Sequence, residues 1–522
     1  MHAATTKGEG NAADERFSAA CQNTPKGAIM LAPENIRWHR TVDIAVIGYG
    51  LAGAVAAIAA REKGASIMIL EKQEAAVHRT SSSMSAGFFL CPSDVNGAKE
   101  YMKALCRMDD RIHWTDEDTI NAWAEYGAQN IGWLKNLGAS ILFYRKTAEH
   151  PQLPGADSIE VWRFNGFGLG MMNFMYRQVQ SRTIEVLYQT AAQRLLTDEA
   201  GRVIGLVAER TAGGRPEKVY IRAHKAVILC TGGFEENDEM ILQYLKMYPV
   251  YFTGGTANTG DGIKMAQEVG ADLWHMNCVS ARLVAKFPDF PIAFTLAISG
   301  YLPGPEQEAS GGFIIVDKYG RRYMSENIKS HTAFYELTSF DTHKLEYPRV
   351  PSYFIFDRRR MEKGPLVSRQ SGAAGPQQLY RWSLDNTEEL RKGWITGNET
   401  VPGLADQLGL SASLLEQTVQ IWNRYCREGQ DPEFSRKISD LVPLDAPPYY
   451  AIKLFPGGPN TQGGPRHNSR AQVLNPFGSP IQGLYAAGEC GSVYGMFYPA
   501  GGGNLAECMA FGRIAVENAL RE

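Results

Sequence analysis

The tightest constraint on this chain is a run near its start: Asp43-Ile-Ala-Val-Ile-Gly-Tyr-Gly-Leu-Ala-Gly53, an alanine-rich segment, then Ser66-Ile-Met-Ile-Leu-Glu71-Lys72. Residues 44–47 form a short apolar run suited to a buried parallel strand, and Gly48, Gly50 and Gly53 supply a G-x-G-x-x-G that turns it into a helix. Gly48 permits the turn, Gly50 lets a pyrophosphate approach the backbone, and Gly53 lets the helix pack on the strand. Glu71 ends the second strand about 20 residues on, where a carboxylate accepts hydrogen bonds from an adenosine ribose. The order strand, turn, helix, strand, acid predicts an α/β chain that binds a dinucleotide.

With 522 residues the chain is long enough for two or three domains and a large buried site. A net charge of −3 gives no electrostatic reason to expect nucleic acid as a partner, so small ligands are favoured. Eight cysteines contain no C-x-x-C pair and no zinc-like cluster, which points to a reduced, cytoplasmic setting without a metal site. No run reaches the roughly 20 apolar residues of a membrane span. Residues 1–37 are polar and rich in small residues and are expected to be a flexible extension, without a signal peptide's apolar core.

Further along, His78-Arg-Thr-Ser-Ser-Ser-Met-Ser-Ala-Gly87 is small and hydroxyl-rich, a loop that can lie against a planar ligand. Thr115-Asp-Glu-Asp118 opens a predicted helix with Ile120, Trp123, Ile131 and Leu134 on one side and an end at Gly138. Residues 203–208 and 219–221 read as strands, and Ala226-Val-Ile-Leu-Cys230 as a buried strand ending at Thr231-Gly-Gly233. Residues 277–447 lack nucleotide motifs and are read as an inserted domain, with a hairpin predicted from residues 313–316, a turn at 317–320 and a return arm at 321–324. Residues 456–465 are Gly- and Pro-rich, and Gly501-Gly-Gly-Asn-Leu505 feeds a final helix whose N-terminus presents N–H groups to an electron-rich acceptor.

Taken in order, Gly48 to Gly53, the Ser-rich loop, Cys230-Thr-Gly-Gly-Phe234, Gly260-Asp-Gly262, Gly320-Arg-Arg-Tyr-Met-Ser-Glu326, Thr461-Gln-Gly-Gly464 and Gly483-Leu-Tyr-Ala-Ala-Gly-Glu489 resemble the fumarate reductase and succinate dehydrogenase flavoprotein superfamily. The resemblance implies a Rossmann-like FAD-binding domain split in sequence, with an inserted α+β capping domain. The expected boundaries are 38–276 and 448–522 for the two FAD-binding parts and 277–447 for the cap. Expected cofactor contacts are Gly48, Gly50, Leu51, Ala52, Gly53, Glu71, Lys72, Ser81, Ser82, Ser83, Ser85, Ala86, Gly87, Ala192, Thr231, Gly232, Gly233, Asp261, Gly488, Glu489, Gly503, Asn504 and Leu505. His78 is offset from the loop in a way that argues against covalent attachment, so FAD is expected to bind non-covalently.

Three positions separate this chain from soluble fumarate reductases. Ser330, Asn460 and Ala500 stand where the resemblance implies a proton-donating Arg, a carboxylate-binding His and a second Arg. A dicarboxylate needs cations against its desolvation. Tyr498-Pro-Ala-Gly-Gly502 is instead similar to the Tyr-Pro-Gly-Pro-Gly of 3-ketosteroid dehydrogenases, which implies that the Tyr498 hydroxyl and the Gly502 N–H hold a carbonyl oxygen. Such donors stabilise an enolate while a β-hydride leaves to the flavin. Ser330 occupies the place of that group's base Tyr; His331 beside it is the alternative proton-transfer group, with Tyr301, Tyr335 and Tyr494 as further hydroxyls. The reading is an FAD-dependent CH–CH oxidoreductase that desaturates an apolar cyclic ketone and passes electrons to an external acceptor. Its alternatives are an ene-reductase of an enone or acrylate with an external donor, and a flavin subunit of a larger complex.

Overall fold

The structure is a computed structural model that describes residues 36–211, 213–296, 312–326, 331–367 and 379–522. Most of the expected N-terminal extension, Ser330 and Tyr301 lie outside the described residues.

Strand β1 (Arg40–Ile47) is followed by helix α1 (Leu51–Glu62) and strand β2 (Ile67–Leu70). β1 and β2 pair in parallel, with Ile44 opposite Ile67 and Ile47 opposite Leu70. On the other side of β1 lies β3 (Glu217–Leu229), a single 13-residue strand that merges the two separate runs read from the sequence. Across the sheet the order is Gln472–Leu474, Pro480–Ala486, β3, β1, β2, Glu185–Leu187, so the two ends of the chain share one sheet. At the centre of the sheet, residues 44–47 of β1, all of β2 and residues 226–229 of β3 are apolar and buried on both faces, as parallel strands covered on both sides must be.

The second sheet contains β4 (Val279–Ala285), Phe313–Val316, Ser352–Asp357 and β5 (Tyr449–Thr461). β5 starts at the expected 447/448 boundary yet belongs to this sheet along its whole length, and the chain re-enters the first sheet only at Gln472. Residues 456–461, within the Gly- and Pro-rich stretch, are strand. Their glycines allow close packing: a Cβ on Gly457 would fall 1.8 Å from the Tyr251 carbonyl oxygen. The predicted hairpin forms its turn at Asp317–Gly320, but the return arm holds only the bridge between Val316 and Arg322, and Phe313–Val316 pairs with Ser352–Asp357 instead.

The predicted helix after Thr115 divides into Glu117–Gly127, capped by Asp116, and Asn130–Asn136. Helix α2 (Gly503–Ala519) is buried almost throughout and packs on α1, where the alanine run permits backbone contact; a Cβ on Gly512 would fall 3.1 Å from the Ala52 carbonyl oxygen. The crossing sets the first turn of α1 against the middle of α2. No helix among the described residues is long and apolar enough to cross a membrane.

Candidate active site

The first of two adjoining cavities begins at the turn after β1. Gly48 adopts φ +101, and a Cβ there would fall 2.3 Å from the Cys230 carbonyl oxygen. Gly53 abuts the Gly48 oxygen, whereas Gly50 has only Ser82 Oγ near its open side, at 3.5 Å, and lines the cavity. Glu71 closes the far wall: its carboxylate accepts from the N–H groups of Tyr49 at 3.1 Å and Gln73 at 2.8 Å, with His78 Nε2 3.4 Å away. Burial opposes its ionisation, but His78 and these donors outweigh it and hold the carboxyl below its ordinary value. Lys72 donates to Thr259 and Asp261, both at 2.7 Å.

The second cavity lies between residues 84–88, the segment after strand Ile141–Lys146, β4, β5 and the N-terminus of α2. It meets the first at Ser81 and Glu489, which line both. Burial, together with the Glu235 and Glu507 carboxyls, raises the Glu489 pKa far above the usual range. Glu507 is pushed up to about 8 by burial, against the Ser492 hydroxyl at 2.7 Å and the Val493 N–H at 2.8 Å that it accepts.

Tyr498 and Gly502 both line the second cavity. The Tyr498 hydroxyl accepts the Asn504 N–H at 2.8 Å, and burial raises its pKa, keeping it a proton-bearing donor. Gly502 takes φ +103, with Phe88 packed where a side chain would go. His331 stands beside Tyr498, their ring centroids 4.6 Å apart. Its Nδ1 lies 2.8 Å from Glu149 Oε2 and its Nε2 2.8 Å from an Arg282 nitrogen. Burial lowers the His331 pKa despite Glu149, so the ring is neutral. For Glu149 burial works the other way, yet His331 and Arg282 keep the carboxyl below its ordinary value. The contact is thus a neutral imidazole N–H on a carboxylate.

The expected cofactor residues separate into three groups. Gly48, Gly50, Leu51, Ala52, Glu71, Lys72, Ser81, Ser82, Ala192, Thr231, Gly232, Asp261 and Glu489 line the first cavity. Ser81, Ser85, Ala86, Gly87, Glu489, Asn504 and Leu505 line the second. Gly53, Ser83, Gly233, Gly488 and Gly503 line neither: Ser83 closes a capping box with Thr80, and a Cβ on any of the four glycines would collide with neighbouring atoms. Tyr494 donates to the Gly503 carbonyl and accepts from Trp123, and Tyr335 donates to the Met496 carbonyl, so both hydroxyls are held away from the second cavity.

Glu149, Arg282 and Tyr144 also line the second cavity and carried no motif. Only Arg282 left a trace, as the lone charge in the apolar run Val279-Ser-Ala-Arg-Leu-Val-Ala285.

A dinucleotide fits the joined cavities. The glycine turn leaves open the space beside Gly50, and the two cavities, which share Ser81 and Glu489 in their linings, together reach from Glu71 to the first turn of α2. The family model described as FAD binding domain matches residues 43–505. The chain belongs to the FAD binding domain family. It is 28% identical over 502 residues to a probable fumarate reductase (Ifc3) of Shewanella frigidimarina strain NCIMB 400, covering 92% of this chain and 75% of that one. It is 31% identical over 372 residues to a 3-oxosteroid 1-dehydrogenase of Mycolicibacterium smegmatis, covering 67% of this chain and 62% of that one. In fold it resembles a 3-ketosteroid delta1-dehydrogenase of Sterolibacterium denitrificans, with TM-score 0.77, 23% identity and coverage of 92% of this chain and all of that one. This member of the FAD binding domain family is an FAD-dependent oxidoreductase acting on CH–CH bonds.

Proposed function

We propose that the chain introduces a double bond next to the carbonyl of a cyclic ketone, or reduces that bond in reverse. The observation that carries this reading is that Tyr498, tied to the N-terminus of α2 through the Asn504 N–H, and Gly502 line one cavity, the one that adjoins the cofactor cavity. Tyr498 donates its proton to the ketone oxygen, and the N–H of Gly502 supplies the second bond. The positive end of the α2 dipole adds to both. Charge on that oxygen grows as the α-proton leaves, so these donors bind the enolate-like transition state more strongly than the ketone.

FAD, when bound, supplies the two-electron acceptor for the β-hydride and releases the electrons to an external acceptor. Glu71, the Gly50 turn and Lys72 would hold its adenosine and phosphate end; Glu489, Asn504 and Leu505 would hold the other. His78 lies against Glu71 and Tyr49, at the end of the groove remote from α2, which supports non-covalent binding. Residues 38–276 and 448–522 would form the split cofactor domain and 277–447 the cap, except that β5 lies in the sheet of the cap. Of the described tyrosines, Tyr144 and Tyr498 line the second cavity, which makes Tyr144 the acid–base hydroxyl that this reading prefers. The alternative places of Ser330 and Tyr301 are outside the described residues.

The test is anaerobic mixing of the oxidised holoenzyme with saturated and partly saturated cyclic ketones, steroidal and monocyclic, while following the visible flavin band. Bleaching by a ketone is the expected result. No bleaching by any ketone, with reoxidation of the chemically reduced enzyme by an acrylate alone, would replace this reading with the reductase.

A further inference from the structure

The backbone oxygens of Tyr498 and Pro499 are both engaged from behind the second cavity. The Tyr101 hydroxyl donates to the Pro499 carbonyl at 2.7 Å, and the Glu149 N–H donates to the same oxygen at 3.0 Å. His150 Nε2 lies 3.2 Å from the Tyr498 carbonyl; a carbonyl only accepts, so Nε2 carries the ring proton. The His150 backbone N–H donates in turn to the Tyr101 hydroxyl at 3.4 Å. Tyr101, His150 and Pro499 line neither cavity, whereas Tyr498 and Gly502 line the second.

The proline gives these bonds their weight. Pro499 has no N–H, so the peptide that leaves Tyr498 can be held only through its oxygen, the one facing His150. The next oxygen is the one shared by Tyr101 and Glu149. Beyond it the turn closes on α2: the Gly503 N–H donates to the Ala500 carbonyl at 3.0 Å, and the Asn504 N–H donates to the Tyr498 hydroxyl. The segment is thus fixed at one end by the first turn of α2 and at the other by Tyr101 and His150.

Tyr101 is itself rigidly placed. Its side chain is fully buried on the helix Val95–Cys106, whose first turn is capped by Asp94. Gly155 adopts φ +72, and a Cβ there would fall 1.9 Å from the Gly97 carbonyl oxygen, so the chain just after His150 packs directly on that helix. Burial raises the Tyr101 pKa, which keeps the proton that Pro499 receives on the hydroxyl. Removing that hydroxyl leaves the Pro499 oxygen with the Glu149 N–H, so the change falls on where the turn sits and strands no buried carbonyl.

We infer that Tyr101, together with His150, is a positioning residue for the carbonyl site: it holds the Tyr498–Pro499 backbone from behind, so that the phenol keeps its bond to the Asn504 N–H and its own proton stays directed into the cavity. The inference rests on the proposed carbonyl site for its effect on turnover, but the placement of the turn has a readout of its own.

The experiment follows Tyr101→Phe in the FAD-loaded protein by steady-state kinetics on the ketones that bleach the flavin, and by hydrogen exchange of the peptide spanning 497–505. The value of kcat should fall about 10-fold, less than the loss from deleting the Tyr498 hydroxyl, with KM within about twofold of the unaltered enzyme. In a Tyr498→Phe background the same change should lose most of its effect, because the group it positions is gone. Exchange over 497–505 should quicken, with the rest of the chain unchanged. His150→Ala should show this pattern more weakly, and His150→Gln, whose amide can still donate to the Tyr498 carbonyl, should restore it. Tyr323→Phe deletes another buried hydroxyl, 2.7 Å from that of Ser352 and on a residue lining neither cavity, and should leave kcat and the exchange of 497–505 as they were. A fully additive loss in the Tyr498→Phe background overturns the inference, as does unchanged exchange over 497–505 in Tyr101→Phe. If Tyr498→Phe lowers turnover and Tyr101→Phe does not, the positioning role fails and the carbonyl site stands. If no ketone bleaches the flavin, the carbonyl reading fails, and the exchange comparison alone decides whether Tyr101 holds the turn.

Discussion

The backbone N–H of Asn504 donates to the hydroxyl of Tyr498 across 2.8 Å. That bond ties the phenol to the first turn of α2 and leaves its proton to be given elsewhere, into the cavity that Tyr498 lines. One hydroxyl therefore satisfies an orphan donor of the helix and presents a donor of its own.

Tyr498→Phe should lower kcat for an accepted ketone by about 10²- to 10³-fold, the usual loss of one oxyanion donor. It should also destabilise the holoenzyme by about 1–3 kcal/mol, because the buried Asn504 N–H loses its acceptor. Steady-state kinetics and denaturant unfolding of the same preparation check both; unchanged turnover of every accepted ketone removes Tyr498 from the carbonyl site.

Two glycines of one motif should fail differently. A Cβ on Gly48 would lie 2.3 Å from the Cys230 oxygen in a left-handed backbone, so Gly48→Ala should disrupt the joint between β1 and β3 and give little folded protein. Gly50 has open space beside it, so Gly50→Ala should fold normally and lose FAD, its methyl projecting where the cofactor passes. Circular dichroism and the ratio of flavin to protein absorbance separate the two. Full flavin content in Gly50→Ala would place the pyrophosphate elsewhere.

The sequence made the cofactor half of the molecule legible because its information is local. Gly48 and Gly53 are required by backbone contacts within a few residues or with one neighbouring strand, and the spacing from Tyr498 to Gly502 lies within a single turn. The Glu149–His331–Arg282 chain is different: its members are brought together by the pairing of β4 with β5 and by the segment after Ile141–Lys146, and no local pattern marks such a meeting. β5 itself illustrates the limit. Its Gly- and Pro-rich half packs closely on Tyr251 and Ala281, neighbours far away in sequence that no local pattern announces.

Between pH 6.5 and 4 the buried histidines should work against the fold, opposite in sign to Glu507 and Glu489, whose raised carboxyls favour it as pH falls. His467 is buried against Phe511, and burial pushes its pKa down to about 4 from an ordinary 6.5. A base depressed in the folded state is protonated first in the unfolded chain, so its contribution is fully present above pH 6.5 and falls as pH drops toward 4. At about 1.4 kcal/mol per unit, His467 alone accounts for about 3 kcal/mol across that window. His275, likewise lowered by burial, acts in the same direction. His467→Phe should flatten the slope of unfolding free energy between pH 6.5 and 4 by most of that amount; an unchanged slope would mean that the group is not buried neutral in solution.

The Arg322–Glu326 pair resembles part of a reaction motif in sequence, but its surroundings are those of a structural cluster. Arg322 donates to Glu326 at 2.8 and 2.9 Å and to Asp431 at 2.9 and 3.2 Å, its guanidinium 4.6 Å from the Trp422 ring, and none of these residues lines either cavity. The side chains of Arg322, Glu326 and Asp431 are 2%, 0% and 0% exposed, so removing the cation strands charge in a dry interior. Glu326 would keep Arg436, 3.5 Å away, while Asp431 would lose both guanidinium bonds. Arg322→Met should therefore cost about 3–5 kcal/mol of stability. Adding Asp431→Asn should recover part of it, because the amide needs no counter-charge. Flavin content and kcat of the surviving folded protein should stay near those of the unaltered enzyme. A variant that unfolds normally in denaturant but has lost turnover would move this cluster from the scaffold into the chemistry.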